Sequence, residues 1–170
     1  MTRRWLWCSF LLLLLASGAF ALTATPVFVQ TPKTIIVTFV QGTDVAGTYK
    51  TVYTGDTSGS KVVGLYCTSN DTALSHLVTV QMSTSTAAHC SPQSNCMGGA
   101  AVTVPINAGF ATGVPAVNML APANWPGLPV DSDGNPFLFL QGNTQTIEVT
   151  FATGLTTSTQ VACVAYGASF

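Results

Sequence analysis

Two six-residue phrases alternate strictly between apolar and polar residues: TIIVTF at 34–39 and TIEVTF at 146–151. Side chains of an extended chain point to opposite faces in turn, so Ile35, Val37 and Phe39 share one face. Ile147, Val149 and Phe151 share the equivalent face of the second phrase, with threonines and Glu148 opposite. This is the pattern of half-buried strands. Six further stretches read the same way: TYKTVYT (48–54), KVVGLYCT (61–68), HLVTVQMS (76–83), AAVTVPI (100–106), PFLFLQ (136–141) and TQVACVAYG (159–167). The pieces between them, such as QGTDVAG, GDTSGS, SNDT, DSDGNP and TGLTTS, carry turn chemistry. About eight strands at this spacing predict an all-β chain, a single antiparallel β-sandwich with a jelly roll as the candidate winding. Only PAVNMLAPANW (115–125) has room for a helical turn, and its prolines keep that short.

The sandwich is expected over residues 33–170, because a different kind of segment precedes it. MTRRWLWCSFLLLLLASGAFA sets Arg3 and Arg4 before an apolar run and closes on Ala19-Phe20-Ala21. That order reads as a secretory signal peptide over residues 1–21, cleaved between Ala21 and Leu22, and Cys8 leaves with it. A retained anchor is the competing reading, since the run from Trp5 to Leu22 is only just long enough to span a bilayer. Residues 22–32 then form a flexible or edge-pairing N-terminal segment. The remainder is one domain's worth of chain, enough to bury about 70% of its unfolded surface without a metal to hold it.

Four cysteines remain, an even number in an oxidising compartment, which favours two disulfides. Three connectivities are open. The turn-forming SPQSN between Cys90 and Cys96 favours closing that short loop, worth up to about 2.4 kcal/mol, and leaves Cys67 with Cys163, worth up to about 4.7 kcal/mol. Zinc held by His89, Cys90, Cys96 and a remote ligand is the competitor, but structural zinc sites show paired close spacings and only one loose pair exists here. His89 reads as an exposed loop residue, and His76, opening a strand, as a surface or rim histidine.

Catalytic patterns fail on context. GDTSGSK (55–61) is one residue short of a phosphate loop, and Val62 stands where Ser or Thr should follow. Ser58 and Lys61 satisfy Ser-x-x-Lys, but that motif needs a helix start to aim the two groups at each other. Asp131, Asp133 and Asn135 have calcium-loop spacing, yet Gly134 is two places early and Gly142 replaces the closing Glu. Turn chemistry accounts for them and leaves a weak, non-EF-hand calcium site as the alternative. Nothing pairs any two of the acids for glycoside hydrolysis, and Cys90 beside His89 reads as tied up rather than reactive. No cofactor is expected. Asn70-Asp71-Thr72 is a glycosylation sequon, informative only where the host glycosylates secreted proteins.

Charge excludes one class of partner. Beyond residue 21 the cations are Lys33, Lys50 and Lys61, against six acids and no arginine. Nucleic-acid binding draws its affinity from Lys and Arg on phosphates, so it is not expected.

Four phrases, VYTGDTSGSKVVGLYCTSND (52–71), VTVPINAGF (102–110), LPVDSDGNPFLFL (128–140) and VAYGASF (164–170), resemble a family of small β-rich virion-associated proteins of tailed bacteriophages and prophages. The similarity runs in order over roughly residues 33–170. It implies a structural role such as capsid decoration, and it carries no catalytic residues across. Two features depart from that family: the export signal, and the loop from Ser83 to Gly99 with its cysteine pair. An exported relative working at a cell surface fits both.

The function expected from these readings is non-enzymatic. The chain is a secreted, periplasmic or cell-surface structural protein, virion-associated if phage-encoded, with protein partners, self-association or a particle or cell surface to bind. No membrane association is expected after cleavage. TATPVFVQTPKTIIVTF, whose first part can lie along another subunit's sheet edge, is the segment expected to drive association. The alternative is a carbohydrate- or receptor-binding module using Trp125 or a tyrosine as a stacking platform. A secreted hydrolase comes third.

Overall fold

The computed structural model describes residues 31–84, 90 and 95–170. The signal segment, the Ala21–Leu22 junction, the stretch to residue 30 and His89 lie outside the described residues. Alternation becomes strands where it was expected: β1 (Thr31–Val40), β2 (Tyr49–Thr54), β3 (Ser60–Ser69), β4 (His76–Ser83), β5 (Cys96–Val104), β6 (Val117–Asn118), β7 (Leu138–Leu140), β8 (Thr146–Phe151) and β9 (Gln160–Ser169). β1 takes in Thr31 and Pro32, which pair with Ser169 and Ala168, so two residues assigned to the preceding segment belong to the sheet.

All pairings are antiparallel. One sheet runs β1-β9-β3, with β6 and β7 both on the far side of β3; the other runs β2-β8-β4-β5. With β6 and β7 counted as one position, successive strands cross between the sheets except at β4–β5, which pair with each other, and this order is the jelly-roll winding. β6 faces Tyr66 and Cys67, while β7 faces Ser60 to Val62. They are two fragments of one strand position, interrupted by residues 119–137. The expected eight strands become nine because of this interruption. Inside the excursion, 115–125 holds β6 and tight turns, the last closing the Trp125 N–H on the Ala121 carbonyl at 2.9 Å.

The two sheets enclose Phe39, Tyr53, Leu65, Met119, Leu140 and Phe151, each fully out of solvent. Burial of such side chains stabilises by about 1.5–3 kcal/mol apiece. Cys67 and Cys163 are cross-strand neighbours in β3 and β9 and are bonded, Cα to Cα 4.1 Å, inside this core. Gly167 is fixed by the same packing. A Cβ there would come within 2.7 Å of the Lys61 carbonyl and 3.0 Å of the Tyr53 ring, so no larger residue fits.

β8 departs from the half-buried pattern: all six of its residues are buried. Its inner set is the expected Ile147, Val149 and Phe151, but Thr146, Glu148 and Thr150 are covered too. A strand in the middle of a sheet is flanked on both sides, here by β2 and β4. Gln81 of β4 donates from Nε2 to Glu148 Oε2 at 3.1 Å.

Two lysines lace the edges β1 and β2 across the sandwich. Lys33 of β1 donates to the Thr54 carbonyl of β2 at 3.1 Å, and Lys50 of β2 donates to the Thr38 carbonyl of β1 at 2.6 Å. Each ammonium also lies over an aromatic ring, Lys33 over Tyr53 and Lys50 over Phe39. Charges planted along an edge in this way blunt it against pairing with another chain.

Candidate interaction surface

The polar residues singled out by sequence are mostly consumed by the fold. Asp131 Oδ1 accepts the N–H groups of Asp133 at 3.0 Å and Asn135 at 2.8 Å, and its Oδ2 accepts from Asn135 Nδ2 at 3.4 Å. These bonds hold the Asp131 carboxyl below the usual carboxylate range. The three calcium-spaced residues thus make a turn around one carboxylate, closed by the bridge between Val130 and Pro136. Among the described residues no group of three or more His, Cys, Asp or Glu is placed to hold a metal.

Residues 55–59 turn between β2 and β3, with the Asp56 N–H on Ser60 Oγ at 3.0 Å. Lys61 does not reach back to Ser58's turn; its ammonium sits 4.3 Å from the Phe137 ring centre. Cys90 and Cys96 are bonded, Cα to Cα 4.6 Å, at the start of β5. With Cys67–Cys163 this makes two disulfides, which fit an oxidising, extracellular or periplasmic setting. Among the described residues no helix is long and apolar enough to cross a membrane. In the sequon, Asn70 Oδ1 accepts the Gln160 N–H at 2.7 Å.

Two expectations fail on burial. His76 is not at the surface: its side chain and that of Asp71 are both fully buried, with Nε2 3.0 Å from Asp71 Oδ2. The same carboxylate accepts the N–H groups of Ala73, Leu74 and Thr156 and the Thr159 hydroxyl. Burial works against its charge, but these donors win and hold the carboxyl far below the ordinary range. Every lone pair of the pair's carboxylate is spoken for, so the cluster ties the β3–β4 turn to the β8–β9 turn rather than offering a base. Trp125 is only 8% exposed and packs in the core, beside Gly98 of β5, because the excursion between β6 and β7 folds back over that flank. It is no stacking platform.

The outer faces of the two sheets differ. The β2-β8-β4-β5 sheet sets polar residues side by side at its outward parity, Thr51, Glu148 and Gln81 in register, with Thr51 exposed and Glu148 and Gln81 buried. The other sheet turns out Ile36 (66% exposed), Val63 (52%), Phe139 (46%) and Tyr166 (43%). Register puts them on one surface: Pro32, Ala168, Lys61 and Phe139 form one row, Thr34, Tyr166 and Gly64 the next, then Ile36, Val164, Tyr66 and Asn118. Val63 projects at a register shift between Val62 and Gly64. Tyr66 meets Tyr166 edge-on at 6.1 Å, and Phe139 packs between Phe137 and Phe170 at 5.3 and 5.6 Å. Lys61 is the one charged side chain in these rows among the described residues.

Sequence reasoning passed over this face, although its signal was present. Ile36 stands between Ile35 and Val37, Val63 follows Val62, and Phe139 stands between Leu138 and Leu140. Each puts a large apolar residue at the parity that should meet water. Contiguous apolar surface of this kind marks contact with another molecule. No family model matches this chain, and no curated protein matches it.

Proposed function

We propose that this protein is a non-enzymatic, exported structural domain that acts through protein contacts, as a part of an assembly or on a particle or cell surface. The observation that carries the reading is the outer face of the β1-β9-β3 sheet, where Ile36, Val63, Phe139 and Tyr166 stand exposed and Lys61 is the one charged side chain in the rows among the described residues. Among the described residues of this molecule, the polar groups of the Asp131 turn and of the buried Asp71–His76 network are spent on the fold itself, while large apolar side chains stand exposed on this sheet. Its resemblance to virion-associated proteins agrees with that assignment, and jelly rolls serve in capsid shells and lectins alike, an analogy at the level of fold.

The test uses oxidised protein beginning at Leu22. Sedimentation should find a discrete oligomer, or co-sedimentation with particles or cells. A protein that stays monomeric, binds no such surface and hydrolyses a glycan or ester overturns the proposal in favour of a hydrolase. Saturable binding of a soluble oligosaccharide through Tyr166 overturns it in favour of the carbohydrate module.

A further inference from the structure

The apolar face has a shape as well as a composition, and its shape selects a partner. Toward the chain termini it is tall, built from Phe139, Tyr166 and Val63. Beyond the row of Ile36, Val164 and Tyr66 it carries only the short side chains of Thr38, Ala162 and Thr68, neighbours in register, with Gly109 of the loop after β5 packed against Thr68 at the far border. We infer that this face pairs with the same face of a second copy about a two-fold axis lying across the strands near the Ile36–Val164–Tyr66 row. The inference rests on the protein-contact reading above.

Three observations favour a second copy over a different protein. A two-fold axis across the strands sets the tall half of each face on the low half of the other, so one surface supplies both knob and shelf, as isologous pairing requires. Charge permits it. Lys61, the charged group of the face, lies in the end row and its ammonium is folded over Phe137, so the axis carries the two lysines to opposite ends. A face without a charge pattern also gives no electrostatic instruction for choosing a foreign partner. Area permits it as well. Four strand positions about 4.8 Å apart and strands about 34 Å long give a footprint of about 600 Å² per copy. Counted over both copies that is about 1,200 Å², the lower bound of a specific protein–protein interface. The route through the β1 and β2 edges is less open, because Lys33 and Lys50 occupy edge carbonyls there.

Sedimentation velocity of the oxidised protein from Leu22 over a concentration series tests the pairing, with Ile36→Asp and Tyr166→Asp against Thr51→Asp on the outer face of the other sheet. Wild type and Thr51→Asp should dimerise alike. Each face variant should weaken the dimer at least about tenfold, about 1.4 kcal/mol, while keeping the wild-type melting temperature to show that the fold is intact. If either aspartate fails to fold, Ile36→Thr and Tyr166→Thr take their place, with the same weakening expected in smaller degree. Wild type that stays monomeric yet binds a particle or cell surface overturns the two-fold pairing and leaves the protein-contact reading standing. Wild type that neither dimerises nor binds a surface overturns both. A dimer broken by Thr51→Asp and indifferent to the face variants also overturns the pairing.

Discussion

His76 Nε2 lies 3.0 Å from Asp71 Oδ2 with both side chains fully withdrawn from solvent. The ring's other nitrogen faces the Thr153 carbonyl at 3.4 Å. The pair therefore joins the turn after β3 to the turn after β8, whose Thr156 and Thr159 lie 85 and 88 residues further along the chain.

This link predicts how the fold responds to acid. Burial opposes the Asp71 charge, but the donors of Ala73, Leu74 and Thr156 depress its folded-state value well below that of a free carboxylate. A group whose value is lowered on folding contributes stability that is complete above its unfolded value, about 3.9, and drains away as pH falls toward the folded one. Asp44 adds in the same direction through Lys50 and the Val40 N–H, against its own burial. Thermal melts should therefore hold level above about pH 5 and fall below about pH 4. Asp71→Asn turns one of the two acceptor oxygens into an NH2 group among buried donors, so it should lose about 1–3 kcal/mol at neutral pH and should flatten the acid limb. An Asp71→Asn protein with wild-type melts across this range would show that the network carries no weight.

How much of this was legible in sequence follows from the range of the interactions. Strands were legible because alternation is local: Ile35, Val37 and Phe39 announce their face without reference to any neighbour. The antiparallel sandwich followed from strand number and spacing, with the jelly roll one candidate winding, and an even cysteine count gave two disulfides while leaving their pairing a preference. His76 and Trp125 were misplaced because what buries them is distant. SNDT reads as a turn whatever packs on it, and only folding brings Thr156 and Thr159 onto Asp71. Trp125 reads as an aromatic in a proline-rich loop until the excursion between β6 and β7 closes over β5. Glu148 looks like the polar side of a half-buried strand, and nothing in TIEVTF itself announces that it is fully buried in register with Thr51 of β2 and Gln81 of β4.

The two disulfides should differ in what they are worth. Cys67–Cys163 spans a separation of 96 residues and Cys90–Cys96 one of 6. Loop entropy alone gives ceilings of about 4.7 and about 2.4 kcal/mol. The long-range bond also lies in the core, where Cys67 and Cys163 are fully buried, so its loss disturbs packing as well. Urea melts of the Cys67→Ala/Cys163→Ala protein should show the larger loss, and those of Cys90→Ala/Cys96→Ala the smaller. Intact mass of the wild type should rise by about four hydrogens on reduction. Equal losses, or free thiol in exported protein, would contradict the assignment.

The reciprocal lysines at the β1 and β2 edges give the sharpest separation between stability and solubility. Lys33 and Asp56 are both partly exposed, so that pair contributes within the about 0–1 kcal/mol of surface pairs, whereas Lys50 meets an Asp44 carboxylate that is only 8% exposed and loses more when the ammonium goes. Their second role, as charges set on the carbonyls of Thr54 and Thr38, is worth little to one molecule and much to a crowd, because an unguarded edge of ten residues templates pairing with other chains. Methionine keeps the aliphatic stem over Tyr53 and Phe39 and removes the charge. Lys33→Met/Lys50→Met should lose about 1–3 kcal/mol, nearly all of it from the Asp44 carboxylate left without its ammonium, and stay folded. The same protein should nevertheless scatter light and bind thioflavin on standing at concentrations where wild type stays clear. Asp44→Asn isolates the cause: it removes the ion pair yet leaves the Lys50 ammonium on the Thr38 carbonyl, so it should lose stability without aggregating. Should Asp44→Asn aggregate as fast as the double lysine variant, partial unfolding rather than edge exposure would be the cause, and the lysines would be ordinary surface charges.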